Sequence, residues 1–396
     1  MYDFNKAAAD GRTTRMYTRM KGGRRPPEKK KPVQLIVLGI IFLFVIALNV
    51  LARLSTPFAD WYMLNIFGNI SDIFSRIPSL VDFSVGEVMI AVAVFGIPLM
   101  IVILLVTLIF AAGKRRAVLK FGGSVLAWIL AFVALTETMN CFVMYQCTTI
   151  EERYYDTSRG YTVDELRNMV EFYITELNTL SAEVERDGNG QIYLGTKEEL
   201  TADCISAMAN ISDTYPQLEG YYPEAKELRS SMLMTQMNMG GVYFPFSLEA
   251  NYNGAMVNTK YPSTICHEYT HLKGIILEDE ANFISFVATT EYGDKEFAYS
   301  GYMMAFNYSY NELARYIPDE DKKEILSKLA PQVWADNKFV SDEYRQKIEK
   351  EAVLSTEKVE EASDTFVDTN LKANGVPDGI VSYTRVVELL LHYYYK

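Results

Sequence analysis

Histidine is nearly missing from this chain: there are three in 396 residues. Any chemistry that needs imidazole must therefore rest on very few side chains, and a large histidine cluster is excluded. Cysteine is almost as scarce. The four present, Cys141, Cys147, Cys204 and Cys266, follow no zinc-binding spacing and are too few for a disulfide framework. Cys141 and Cys147 stand close enough in sequence to pair outside a membrane, and Cys266 reads as a small buried packing residue. Positive charge is in the minority, with 38 Lys and Arg against 50 Asp and Glu and a net charge of −12. The acidic balance of the C-terminal part argues against a nucleic-acid surface there. No internal repeat is visible.

What is present is unevenly spread. Three nearly uncharged blocks occupy residues 32–51, 88–110 and 121–140. Each is long enough to cross a hydrocarbon core of about 30 Å as a helix. The first lies too far from the N-terminus, and is too long, for a cleaved signal peptide, so it reads as a retained span. Basic residues crowd the arm before it (Arg12, Arg15, Arg19, Lys21, Arg24, Arg25 and Lys29 to Lys31) and the link after the second block (Lys114, Arg115, Arg116, Lys120). The positive-inside rule places both in the cytoplasm, and a basic arm beside a bilayer meets anionic headgroups. The expected organisation is a disordered cytoplasmic arm (1–31), a three-helix membrane domain (32–147) and an extracytoplasmic domain (148–396). The loop 55–86 faces outward, with interfacial helix around Trp61 to Leu64 and residues 73–80.

Past residue 148 the pattern is mainly helical with a small sheet. Thr162…Glu165 and Thr196…Glu199 are capping boxes that open two helices. A helix is expected over 223–237, then extended segments at 242–246 and 249–253, with a third short strand at 255–258. Pro245 restricts the first to a sheet edge. Ser263, after Pro262, is the expected N-cap of the next helix, which should stop at Gly274. Further helices are expected from Leu277 to about residue 290, over 296–316, through most of 319–371 and over 383–394, the last capped by Ser382.

Two of the three histidines stand together in His267-Glu268-Tyr269-Thr270-His271. At i and i+4 they share one helix face and can reach a single ion. This is the H-E-x-x-H pattern, in which two histidines hold zinc and Glu268 is the general base. A catalytic zinc takes three protein ligands. His392 is far along the chain, so a carboxylate must be the third, and Glu278, Asp279 and Glu280 follow at once. Glu278 is preferred, with Glu280 the alternate. Glu278 and Asn282 are i and i+4 on the next helix, so Asn282 can bond the free ring nitrogen of a ligating histidine, while Glu280 points about 160° away. A ligand three residues after Gly274, as in a metzincin, would be Leu277, which cannot ligate. Tyr383 and Arg385, at the head of the last helix, are candidate oxyanion or substrate contacts.

His267-Glu268-x-x-His271 followed by Glu278-x-x-Ala281-Asn282 resembles the gluzincin arrangement. Membrane-bound gluzincins of the HtpX and CAAX-prenyl-protease type carry Glu-x-x-Ala-Asp at that point, where this chain has Asn282 and a shorter link. The compact form is similar to a family of uncharacterised bacterial membrane proteins with a few N-terminal spans and a zincin-like ectodomain. That similarity extends to Tyr243-Phe244-Pro245-Phe246…Glu249-Ala250-Asn251. It also takes in Leu371-Lys372-x-Asn374-Gly375…Gly379-x-x-Ser382-Tyr383-x-Arg385-Val386-Val387. It implies a multi-pass protein of a bacterial cell membrane with a zincin-like α+β domain.

The expected activity is zinc-dependent hydrolysis of an extracytoplasmic protein or peptide, with the bilayer as the other partner. The alternative is a non-catalytic zinc-bound envelope sensor or scaffold. The motif lies far past the last apolar block, which argues against a cleft formed by the spans. Asp187→Cys and Arg24→Cys report the topology, in a background with Cys141 and Cys147 replaced by Ser. An impermeant thiol reagent on intact cells is expected to label the first and not the second, and the reverse pattern would overturn the assignment.

Overall fold

The computed structural model describes residues 33–110, 112–376 and 385–396. The basic arm, Ser382 and Tyr383 lie outside the described residues. Three helices are long and apolar enough to cross a membrane: Val33–Leu54, Val85–Phe110 and Arg115–Gln146. The first and third are tied near their ends by Asn49 Nδ2 donating to Thr138 Oγ1 at 2.8 Å.

The segment between the first two helices does more than lie at an interface. It forms short helices at Thr56–Tyr62 and Gly68–Phe74. Trp61, Leu64, Ile73 and Phe74 stay exposed, as an interfacial face requires, but Ala59 and Phe67 are fully buried. The buried face packs on the rest of the protein. Ser71 Oγ donates to the Leu272 carbonyl at 2.8 Å, and Lys273 Nζ meets Asp72 Oδ1 at 2.9 Å. Residue 148, the expected domain boundary, is tied back as well. Thr148 donates its N–H and hydroxyl to the two Asp60 carboxylate oxygens, at 2.9 and 2.7 Å. One hydrophobic cluster runs from Ala52, Phe67 and Val143 to Tyr173, Phe283 and Leu390.

The helices that build the core of the remaining chain are α1 (Val163–Glu183), α2 (Lys197–Asn210), α3 (Tyr261–Leu272), α4 (Glu278–Glu291), α5 (Lys295–Leu313) and α6 (Val386–Tyr394). The capping boxes at Thr162 and Thr196 open α1 and α2. Helix α4 lies against α3, α5 and α6, and α5 also packs on α1. The four cysteines are free, and Cys204 and Cys266 are fully buried.

The sheet has three strands, β1 (Lys226–Leu228), β2 (Gly241–Phe244) and β3 (Glu249–Asn253), in the order β1-β3-β2. Strand β1 is parallel to β3 and β2 antiparallel to it. The third strand is not where the sequence pattern put it. Residues 255–258 contribute only an isolated bridge, Met256 to Val340, before a 3₁₀ turn begins at Asn258, and of the helix expected over 223–237 only Ser231–Gln236 is helical. A buried charge explains the difference. Lys226 Nζ donates to the carbonyls of Pro78 and Phe83 and to Glu249 Oε1, at 2.7, 2.9 and 2.8 Å. Glu249 also accepts the N–H groups of Val85 and Gly86, at 3.1 and 2.8 Å. Helix propensity cannot compete with a paired, desolvated ammonium whose partners hold the segment extended.

Lys226→Met keeps the apolar stem but strands Glu249 as a buried carboxylate. It is expected to cost about 3–5 kcal/mol, read as a lowered unfolding midpoint of the purified full-length protein.

Candidate metal centre

Helix α3 begins earlier than its sequence suggests. A 3₁₀ turn, Asn258–Lys260, runs directly into it, so Lys260 is the N-cap and Pro262 occupies the first turn. Ser263 is therefore inside the helix, not its cap. Its N–H donates to Ser300 Oγ at 3.1 Å, which docks α3 on α5. At the other end Gly274 has φ +90°. Only a residue without Cβ turns there without strain, and added bulk would meet Phe67 and Met63 at 3.0–3.1 Å. The reversal is therefore both sharp and packed.

It places α4 so that Glu278, its first residue, faces α3. Glu278 Oε2 lies 3.2 Å from His267 Nε2 and 3.6 Å from His271 Nε2. Ligand atoms on a tetrahedral zinc at about 2.1 Å stand about 3.4 Å apart, which both Glu278 distances match, and one ligand atom from each of the three residues lies within 4.8 Å of the others. The other ring nitrogens are spoken for. His267 Nδ1 is 3.0 Å from Asn282 Oδ1, and His271 Nδ1 is 2.8 Å from the Ile275 carbonyl. Both partners are acceptors, so both rings carry a proton on Nδ1 and present Nε2, the atom free to ligate, toward Glu278. Asn282 is held in turn by Nδ2 donating to Tyr308 Oη at 3.1 Å.

The electrostatics fit a cation. Burial opposes charge on the His271 ring, but the Glu278 carboxylate beside it prevails and lifts the ring to about 9. Burial also penalises the Glu278 carboxylate, yet the two imidazoles hold it well below the usual carboxylate range. A divalent ion held there would replace that proton with a stronger positive charge.

Glu268 is 4% exposed, and its Oε2 has no hydrogen-bond partner among the described residues. Burial pushes its carboxyl up, with the histidines acting the other way. The edge strand lies flush against it: a Cβ at Gly241 would sit 2.5 Å from Glu268 Oε1.

The three acids that open α4 go three ways. Glu278 joins the histidines. Asp279 faces Arg385, Oδ2 to Nε at 3.7 Å. Glu280 Oε1 accepts the Ile150 N–H at 2.6 Å, and burial, reinforced by Asp279, pushes its carboxyl to about 8. Arg385 is thus held beside Asp279 and not among the candidate ligands, and Tyr383 lies outside the described residues. His392 is occupied elsewhere, with Nδ1 2.9 Å from Tyr161 Oη and Nε2 3.3 Å from Glu151. Three participants had no signal in the sequence. Tyr308 is too distant along the chain, the Ile275 carbonyl is backbone, and Gly241 matters only through what packs on it.

A family described as Protein of unknown function (DUF3810) matches residues 62–391. No curated protein and no solved structure matches the chain.

Glu278→Ala is expected to abolish stoichiometric zinc in the purified protein. Glu280→Gln, which keeps an acceptor for Ile150 and mimics the protonated acid, is expected to retain it. Metal analysis of both variants decides between the two glutamates.

Proposed function

This chain belongs to the DUF3810 family of proteins of unknown function, and we propose that it is a membrane-anchored, zinc-dependent peptidase with a zincin-like domain working outside the cytoplasm. The observation that carries this reading is Glu268. Its carboxyl is buried with one oxygen unpartnered among the described residues, next to three converging candidate ligand atoms. A buried carboxyl oxygen left without a partner is costly. A zinc-binding scaffold needs His267, His271 and Glu278 but has no use for such a group, whereas a hydrolase needs it as its base.

His267, His271 and Glu278 would hold the zinc, which when bound polarises a carbonyl and lowers the pKa of water. Asn282 and the Ile275 carbonyl keep both imidazoles in the ligating tautomer. Glu268 Oε2 takes the proton as water attacks the scissile carbonyl and delivers it to the departing amine. An extended substrate aligns along the outer edge of β2, which has no strand partner among the described residues. That alignment is β-addition, in which main-chain hydrogen bonds hold the segment, and Gly241 lets it approach Glu268 closely. The outward orientation rests on the basic residues flanking the apolar helices.

Glu268→Gln preserves size but cannot accept a proton. Zinc content and folding are expected to match the parent, while turnover of an unbiased peptide library falls by about 10²–10⁴. Equal turnover would remove Glu268 as the base. Full complementation of a deletion by this variant would favour the scaffold.

A further inference from the structure

The candidate centre lies much closer to the apolar helices than chain order implies. The His271 ring is 6.4 Å from that of Tyr243 on β2. Tyr243 Oη donates to the Asn140 carbonyl at 3.2 Å, inside the turn Thr138–Phe142 that continues the third apolar helix. Asn140 answers with Nδ2 donating to the Pro245 carbonyl at 2.7 Å. One residue on, Phe246 packs on Phe132 of the same helix, with ring centroids 5.9 Å apart. The second apolar helix holds the other side. Its Val85 and Gly86 N–H groups are bonded to Glu249, and a side chain on Gly86 would strike the Phe244 ring at 2.6 Å.

Strand β2 is therefore a ruler between two places. At Gly241 it touches the proposed base. About 10 Å along, three residue steps later, it ends against the start of the second apolar helix, and the residues after it reach the second half of the third. The residues at that end, Phe244, Pro245 and Phe246, are apolar and half-exposed. A strand added to the free edge has one part over Glu268 and another beside the second and third apolar helices. Beside it the helix Val85–Phe110 offers an apolar wall, with no residue of its most apolar window buried.

We propose that the substrate is a polypeptide anchored in the same bilayer, cut in an extended segment just outside its own membrane helix. This deepens the peptidase reading and rests on it. The anchor supplies what a short main-chain contact lacks. It holds the segment at an effective concentration in the millimolar range and at the height of β2.

The test uses the full-length, zinc-loaded protein in phospholipid vesicles. One degenerate peptide library is presented in two forms, as free soluble peptide and joined through a spacer to a single apolar helix in the same vesicles. Anchored peptides with a spacer of about five residues are expected to be cut at least about 10-fold faster at equal total concentration, with the advantage fading as the spacer grows to about 40 residues. Equal cutting of both forms, or a preference for the soluble one, overturns the anchored substrate and leaves the peptidase reading standing. No cutting of either form overturns both. A second readout needs no turnover. A photo-reactive phenylalanine analogue in place of Phe246, in the Glu268→Gln protein, is expected to cross-link the anchored library and not the soluble one. Absence of any cross-link to the anchored form overturns the path along β2.

Discussion

A carboxylate held, half-buried, between two imidazoles is the constraint that the rest of this structure serves. Glu278 would be expensive to desolvate alone. It is offset by two ring nitrogens within 3.6 Å, and they can be there only because the chain reverses within a few residues. The left-handed turn at Gly274 provides that reversal. Its packing against Met63 and Phe67 then ties the reversal to the helices after the first apolar segment. The candidate centre, the turn and the segment between the first two apolar helices are one packed unit.

The same economy of position explains how four neighbouring acids avoid interfering. Glu268, Glu278, Asp279 and Glu280 all lie within two consecutive helices, and a common site would suffer like-charge repulsion. Instead each faces a different partner: an edge strand, two histidines, Arg385 and the Ile150 amide. Glu280 sits in so apolar a place, beside Asp279, that it favours its neutral form. Negative charge is thereby concentrated at Glu278, where a cation can use it.

The apolar helices carry more than an anchor needs. Glu249 is bonded to the start of the second helix and to Lys226, which itself reaches back to Pro78 and Phe83. The sheet is fastened to those helices through its own buried ion pair, and β2 takes its position from that attachment. Distance along the chain is a poor guide here, because strand pairing and packed helix ends bring residue 140 within one side chain of residue 271.

The sequence by itself determined the features that depend on local chemistry. The i, i+4 spacing of His267 and His271, the capping boxes at Thr162 and Thr196, the stop at Gly274 and the three apolar lengths are written in neighbouring residues. So is the pairing of Glu278 with Asn282 on one helix face, which separates Glu278 from Glu280 by angle alone. What only the tertiary structure decided depends on groups far apart in the chain. The third strand formed at Lys226 because its ammonium found Glu249 and the carbonyls of Pro78 and Phe83. Helix α3 began before Ser263 because a preceding turn ran into it. Tyr308 became the support of Asn282, and the third apolar helix a neighbour of the histidines, through packing that no local pattern encodes. Local propensity is worth tenths of a kcal/mol per residue, and a desolvated charge or a closed core is worth several, so where the two disagreed the packing prevailed.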